Sequence, residues 1–69
     1  MELIDLVQKI PDDVNLWIAE KGKDKAVFFN EAGMCTIGNV KGYKVVEMYP
    51  EYYGAIGCTG ISIIVKKEE

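Results

Sequence analysis

Hydrophobic residues recur at helical spacing at the start of the chain. Apolar side chains such as Leu3, Leu6 and Ile10 fall on one stripe, with acidic and basic side chains between them. Pro11 follows, and a proline pushes the residue before it out of helical geometry. The pattern therefore predicts a short amphipathic helix over about residues 2–10, which must lie on another element to be stable.

The rest of the chain alternates apolar and polar residues with the period of a β-strand. In residues 14–20, for example, Leu16 and Ile18 fall on one face and Trp17 falls on the other. Runs of this kind are separated by polar turns that contain glycine. The predicted strands cover about residues 14–20, 25–30, 34–38, 43–49 and 60–66.

These elements predict a single α+β domain over residues 1–69. Most connections are too short for crossover helices, so we expect one N-terminal helix packed on a mainly antiparallel sheet of about five strands. One short helix cannot cover such a sheet. Either the sheet curls into a half-barrel, or its uncovered face meets another copy of the chain, and we expect self-association. That face would carry a mixture of Trp17, Phe28 or Phe29, Val46, Met48 and Ile64.

Composition argues against several classes of function. The chain has no histidine and no arginine, and its eight lysines are outnumbered by eleven acidic residues, which gives a net charge of −3. A nucleic-acid-binding surface needs a basic stripe, so we expect no nucleic-acid partner. The acidic, amphipathic start differs from a signal peptide, and no apolar run is long enough to cross a bilayer. We therefore expect a soluble, cytoplasmic protein with no membrane partner.

Candidate catalytic and metal-binding groups are few. Outside tyrosine, the hydroxyl groups belong to Thr36, Thr59 and Ser62, and none of them can pair with a histidine base. The adjacent Asp12 and Asp13 are typical of a solvated turn, and no recognisable calcium loop surrounds them. We predict that the protein is not an enzyme and that it uses no cofactor and no metal.

The two cysteines do not indicate a metal or redox site. Cys35 and Cys58 are too far apart for a CxxC motif, and two thiolates without histidine cannot complete a four-ligand zinc site within one chain. We interpret them as small, reduced side chains in the interior.

The glycines near the end of the chain do not indicate a phosphate loop. Gly54, Gly57 and Gly60 form a GxxGxxG pattern, which differs from the dinucleotide fingerprint and from the P-loop. Both of those motifs precede a helix whose amino end faces the phosphate, whereas residues 61–65, ISIIV, have the pattern of a strand. We interpret the glycines as turn formers.

Aromatic residues around the segment PEYYG, residues 50–54, are the best candidates for a binding surface. Tyrosine and tryptophan are favoured at interfaces because they combine a large rigid area with a polar group. The flanking proline and glycine predict a loop here, and long loops are more often functional than plain connectors. In the alternative interpretation, these side chains only plug the ends of a small core. The predicted binding residues are Trp17, Tyr49, Glu51, Tyr52, Tyr53 and Gly54.

Lysines occur in two groups near the predicted turns. They are Lys21, Lys23 and Lys25, followed later by Lys41 and Lys44. Such residues either form a local positive patch between hairpins or keep edge strands from pairing with other chains, and we favour the second interpretation.

Two segments resemble short proteins encoded in phages and prophages of Gram-positive bacteria. Residues 3–18, LIDLVQKIPDDVNLWI, resemble the opening of those proteins, and residues 61–69, ISIIVKKEE, resemble their last strand and charged tail. The resemblance implies a small accessory protein of a mobile element. Such proteins often act by binding, including as inhibitors of host defence systems. The similar segments are scaffold, so the resemblance transfers no functional residues.

Three hypotheses for the function follow. The first is a non-catalytic binding protein that inhibits a bacterial host protein, for example a defence nuclease, through an aromatic and acidic surface. The second is a homo-oligomeric sponge that binds a nucleotide-like ligand between subunits, with Tyr52, Tyr53, glycine amides and lysines around it. The third is a structural or assembly protein that docks through the uncovered sheet face.

Overall fold

The fold is α+β and consists of one four-stranded sheet with short helices on one face. The computed structural model describes residues 1–55 and 57–68. A 3₁₀ turn at Ala32–Met34 connects the second strand to the second helix. The elements are α1 (Leu3–Val7), β1 (Asn15–Glu20), β2 (Ala26–Glu31), α2 (Ile37–Val40), β3 (Tyr43–Tyr53) and β4 (Cys58–Lys67).

The sheet joins two hairpins side by side. Its strand order is β2-β1-β4-β3. β1 pairs with β2 and β3 pairs with β4 in antiparallel fashion, whereas β1 and β4 are parallel. The sheet is therefore mixed and has four strands in the described part of the chain, not about five mainly antiparallel ones. Short turns between neighbouring strands encode the hairpins, but no local pattern encodes the pairing of two strands from opposite halves of the chain.

The predicted strand over residues 34–38 is wrong, because this segment ends the 3₁₀ turn and begins α2. The side-chain oxygen of Asn39 accepts hydrogen bonds from the Thr36 backbone N–H at 3.0 Å and from the Thr36 hydroxyl at 2.9 Å. Threonine and asparagine favour helix starts because their side chains satisfy free backbone groups there. This local bonding outweighs the β-propensity of the segment.

The first helix is shorter than the sequence predicts. α1 covers Leu3–Val7 rather than residues 2–10. Beyond it, the N–H groups of Lys9 and Ile10 bond to the carbonyl groups three residues earlier, so the chain tightens into turns before the proline. Among the helices described, neither has the length and apolar character that a membrane crossing requires.

The hairpin of β3 and β4 is longer than predicted. β3 continues to Tyr53, and β4 begins at Cys58. Pro50 explains the error, because a proline usually interrupts a strand. β3 is an edge strand, however, with no strand on its outer side. A proline is tolerated there at a position where the backbone N–H that it lacks would face solvent. The segment PEYYG is therefore largely strand and not a loop.

The hydrophobic core lies between the helices and one surface of the sheet, called here the helix face. Leu16 and Ile18 of β1 and Ile63 and Val65 of β4 are all fully buried. The central parallel pair therefore supplies the sheet side of the core. The side chains that pack against it come from the helices and the 3₁₀ turn: Leu3, Leu6, Ala32 and Val40.

The opposite surface, called here the open face, has no helix packed on it in the part of the chain that the structure describes. Phe29, Trp17, Ser62 and Tyr49 are successive cross-strand partners from β2 to β3, and so form one row across this face. Phe29 and Tyr49 are 47% and 42% exposed. An aromatic row on a half-exposed sheet surface is a candidate contact surface.

The residues predicted to lie together on the uncovered face of the sheet are divided between its two faces by the strand register. Met48 is paired with Ile63 and therefore lies on the helix face, contrary to expectation. The cause is a β-bulge at Val46, which adds one residue and shifts the alternation of β3. By the same pairing, Trp17, Phe29 and Ile64 lie on the open face, and Phe28 lies on the helix face with Met48.

Gly60 is a position in β4 that leaves no space for a side chain. A Cβ atom there would collide with the carbonyl oxygen of Asn15 and would lie 2.6 Å from Cε2 of Tyr53. Glycine thus allows the ring of Tyr53 to lie directly over the backbone of the neighbouring strand.

We expect Gly60→Ala to lower the free energy of unfolding by about 1–3 kcal/mol, because the added methyl group overpacks this site. Urea denaturation measures the change. Gly54→Ala is the matched control, since a Cβ atom there would first meet Tyr52 Cε2 at 3.8 Å. Its effect should stay within about 0.5 kcal/mol. Equal losses in the two variants would contradict this account of Gly60.

Candidate functional site: an aromatic cleft on the open face

An aromatic cleft of about 210 Å³ lies on the open face. Alternate residues of β3 supply one wall, because side chains two apart in a strand point to the same face. β1 and β4 supply the rest, and their parallel pairing sets Trp17 directly beside Ser62. The lining residues of this aromatic cleft are Trp17, Tyr49, Glu51, Tyr53 and Ser62.

Ser62 fixes the position of the carboxylate in the cleft. This serine is only 1% exposed, although the residues around it in β4 are apolar. Its hydroxyl donates a hydrogen bond of 2.8 Å to Oε2 of Glu51. A buried hydroxyl without a partner would cost about 1–3 kcal/mol, so the pairing also stabilises the sheet. Glu51 is exposed as a residue, yet one of its carboxylate oxygens is held in place.

Tyr53 crosses the open face and is held there by two contacts, one at its hydroxyl and one at its ring. Its hydroxyl donates a hydrogen bond of 2.9 Å to the carbonyl oxygen of Ile61. Its ring lies 5.1 Å from the ring of Phe29, measured between centroids, at an interplanar angle of 59°. Tilted aromatic pairs at this separation are favourable. Tyr53 is therefore a rigid part of the cleft rather than a free side chain.

The hydroxyl groups of Tyr53 and Ser62 approach to 3.4 Å. These two hydroxyl groups have one proton each to donate but make three contacts: with the Ile61 carbonyl, with Glu51 and with each other. The short bonds to the Ile61 carbonyl and to Glu51 use both protons, which leaves the 3.4 Å approach as the weakest of the three. The second oxygen of Glu51, Oε1, accepts no hydrogen bond from the residues that the structure describes. The cleft therefore presents a fixed carboxylate with one free oxygen.

Four of the six predicted binding residues line the aromatic cleft, namely Trp17, Tyr49, Glu51 and Tyr53. Tyr52 does not, because adjacent residues of a strand point to opposite faces. It pairs with Thr59 and is 65% exposed. Gly54 lies in the exposed turn after β3 and contributes no lining to the cleft. The expectation of a loop that carries Tyr52 and Tyr53 together is therefore wrong.

Ser62 lines the aromatic cleft but is not among the six predicted binding residues. The pattern ISIIV did contain a relevant signal, because a single polar residue inside an apolar strand requires a hydrogen-bond partner when it is buried. The partner itself, Glu51, is set by the register between β3 and β4, which the sequence does not show.

A second, shallower groove of about 590 Å³ lies at the end of the sheet where β1 begins. Tyr52 forms part of its wall together with apolar side chains of the helix face, and Asp13 adds a carboxylate. The lining residues are Asp13, Val14, Pro50, Glu51, Tyr52, Thr59, Gly60 and Ile61.

Charge is distributed unevenly along the sheet. Neither groove described above has a lysine in its lining. Lysines gather instead at the other end of β3, where one groove contains Lys23, Lys25 and Lys67 and a neighbouring one contains Lys44 and Lys66. The turn between β1 and β2 and the adjoining ends of β3 and β4 thus bring lysines to one end of the sheet, where Glu20 and Glu68 lie among them. The aromatic cleft lies toward the opposite end.

Both cysteines are free and half-buried. Cys35 packs against the core, and burial raises the pKa of its thiol. Cys58 begins β4 and its Sγ accepts a hydrogen bond of 3.3 Å from the side-chain amide of Asn15 on the open face. The two thiols therefore lie on opposite sides of the sheet. Within residues 1–55 and 57–68, no three potential metal ligands come together.

The chain matches no protein-family model, no curated protein and no solved structure.

Burial raises the pKa of the Tyr53 phenol, the adjacent Ser62 hydroxyl lowers it, and the nearby charge of Glu51 raises it, with a net increase. A group with a raised pKa in the folded state stabilises the fold fully below its unfolded pKa, at about pH 10 for tyrosine. That contribution is lost as the pH rises through the folded pKa.

We therefore expect wild-type protein to lose stability above about pH 10 more steeply than Tyr53→Phe. Near neutral pH, the same variant should be less stable by about 0.5–1.5 kcal/mol, because it lacks the bond to the Ile61 carbonyl. Urea denaturation across pH measures both effects. Tyr49→Phe, at a more exposed tyrosine, is the control, and an identical pH dependence in all three proteins would refute the assignment.

Proposed function

We propose that the protein is a non-catalytic binding module that docks a basic protein partner through the aromatic cleft and the row of aromatic residues beside it. The observation that supports this most is the Glu51 carboxylate, which Ser62 holds at 2.8 Å among three aromatic side chains. Aromatic residues of this kind supply large contact area at interfaces. A fixed carboxylate beside them selects partners that carry positive charge.

Long-range electrostatics favours the same kind of partner. The chain has a net charge of −3, and the lysines lie toward the end of the sheet away from the cleft. A basic partner is attracted to the acidic protein as a whole and is oriented toward the end that lacks lysine linings. The prediction that this partner is a bacterial host defence protein stays a prediction.

Rigidity also suits the cleft to binding. Tyr53 is held by the Ile61 carbonyl and by the ring of Phe29, and Glu51 is held by Ser62. Side chains that are ordered before binding lose less conformational entropy when a partner arrives. The cleft thus behaves as a preformed surface on a sheet, not as a loop that must become ordered.

The ligand-sponge hypothesis receives less support. Tyr52 and Tyr53 lie near one end of β3, and the lysine-lined grooves lie near its other end. Tyr52 and Tyr53 also point to opposite faces of the sheet, so one subunit cannot present both of them to the same ligand. The exposed aromatic row does suit self-association, so an assembly role through the open face is the second candidate function.

A binding experiment with two exposed tyrosines of β3, which lie on opposite faces of the sheet, tests the proposal. Tagged wild-type protein is used to capture basic proteins from a bacterial lysate, and the dissociation constant of the purified partner is then measured for each variant. Tyr49→Ala removes a wall of the cleft, so we expect at least about tenfold weaker binding. Tyr52→Ala lies on the other face and should bind like the wild type.

Binding that weakens with Tyr52→Ala and not with Tyr49→Ala would place the contact on the wrong face for this proposal. Salt provides an independent criterion, since an electrostatically assisted contact weakens as ionic strength rises. A partner whose affinity is unchanged by Tyr49→Ala and by salt would also contradict the proposal. Light scattering of the wild type alone shows whether a second copy is the partner instead.

A further inference from the structure

We infer that the aromatic cleft is a site for one arginine side chain of the partner protein. The guanidinium group lies against the rings of Trp17 and Tyr49 and donates hydrogen bonds to Oε1 of Glu51. This inference rests on the proposed function and specifies its central contact.

The size of the cleft matches a single side chain. Pockets for small-molecule ligands and cofactors usually enclose about 300–1,000 Å³. The aromatic cleft encloses about 210 Å³ and lies open on a sheet surface. A single residue that projects from a partner is therefore a better fit than a whole nucleotide.

The chemistry of the lining selects a cation. The faces of aromatic rings are negative and attract ammonium and guanidinium groups, most strongly for tryptophan. Phosphates and carboxylates are disfavoured because Glu51 supplies negative charge and none of the described residues that line the cleft is a lysine. Three aromatic residues and one carboxylate thus form a surface complementary to positive charge.

Guanidinium fits this lining better than ammonium does. It is planar, stacks on aromatic faces and is more weakly hydrated than the ammonium group of lysine. It also presents several N–H donors in a fixed fork. Ser62 occupies Oε2 of Glu51 and leaves Oε1 open, so the arginine forms a charge-assisted hydrogen bond without displacing the serine.

The arginine must come from another molecule of a different sequence. The 69 residues of this chain contain no arginine, so neither this chain nor a second copy of it can supply the guanidinium group. The partner is therefore a different protein with an exposed arginine on its contact surface.

Trp17 is the only tryptophan and lines the cleft, so its fluorescence reports occupancy directly. The probe is a blocked pentapeptide with one arginine between glycines. Two reference peptides carry citrulline, which has nearly the same shape without charge, or lysine in that place. We expect a saturable fluorescence change with the arginine peptide and at least about tenfold weaker responses with both reference peptides.

Two variants test whether the Trp17 fluorescence response depends on the Glu51 carboxylate. Glu51→Gln keeps an oxygen for the Ser62 hydroxyl and removes the charge, and we expect it to weaken the arginine response at least about tenfold. Glu47→Gln is the matched control, because Glu47 lies on the same strand and face but outside the cleft lining. It should respond like the wild type. Circular dichroism confirms that both variants are folded.

Three results would overturn the inference. The first is no saturable Trp17 response to the arginine peptide. The second is equal responses to the arginine and citrulline peptides, and the third is a lysine peptide that binds as tightly as the arginine peptide. If any of these occurs while Tyr49→Ala still weakens binding of the captured partner, the arginine site is refuted and the binding function is retained. If Tyr49→Ala leaves partner binding unchanged, the proposed function itself is refuted.

Discussion

The parallel pairing of β1 with β4 joins two hairpins into one sheet and fixes which side chains lie on each of its faces. Each hairpin alone would be a two-stranded ribbon, which is marginally stable in water. Their union buries Leu16, Ile18, Ile63 and Val65 on the helix face. The same register places Trp17 beside the buried Ser62 on the other face. A slip of one residue would exchange the two faces, so core and cleft are specified together.

The cleft is also a consequence of satisfying polar groups in a small protein. Ser62 is buried in the middle of the sheet and requires a hydrogen-bond acceptor, which Glu51 provides. Gly60 leaves room for Tyr53 to cross the strand and to bond to the Ile61 carbonyl. The bonds that stabilise the open face thus also orient its carboxylate and one of its aromatic rings. In a chain of 69 residues, the scaffold and the binding surface share the same side chains.

Local patterns predicted most of the elements and part of the candidate site. Period-two alternation located the strands, and aromatic content identified Trp17, Tyr49 and Tyr53 as candidates. The errors arose where a tertiary setting overrode a local rule. Pro50 is tolerated because β3 is an edge strand, Val46 forms a bulge that moves Met48 to the other face, and the side chains of residues 36 and 39 convert a predicted strand into a helix start. Long-range register, which joins Glu51 to Ser62, has no local sequence pattern.

Chemical-shift mapping of the isotope-labelled protein with the captured basic partner shows which face of the sheet the partner contacts. We expect the largest perturbations on the indole N–H of Trp17 and on the backbone amides of Tyr49, Glu51 and Ser62. The amides of α1 and of the lysine-rich end of the sheet should change little. Perturbations centred on Tyr52 and the helix face, with the Trp17 indole unchanged, would show that the partner does not bind the aromatic cleft.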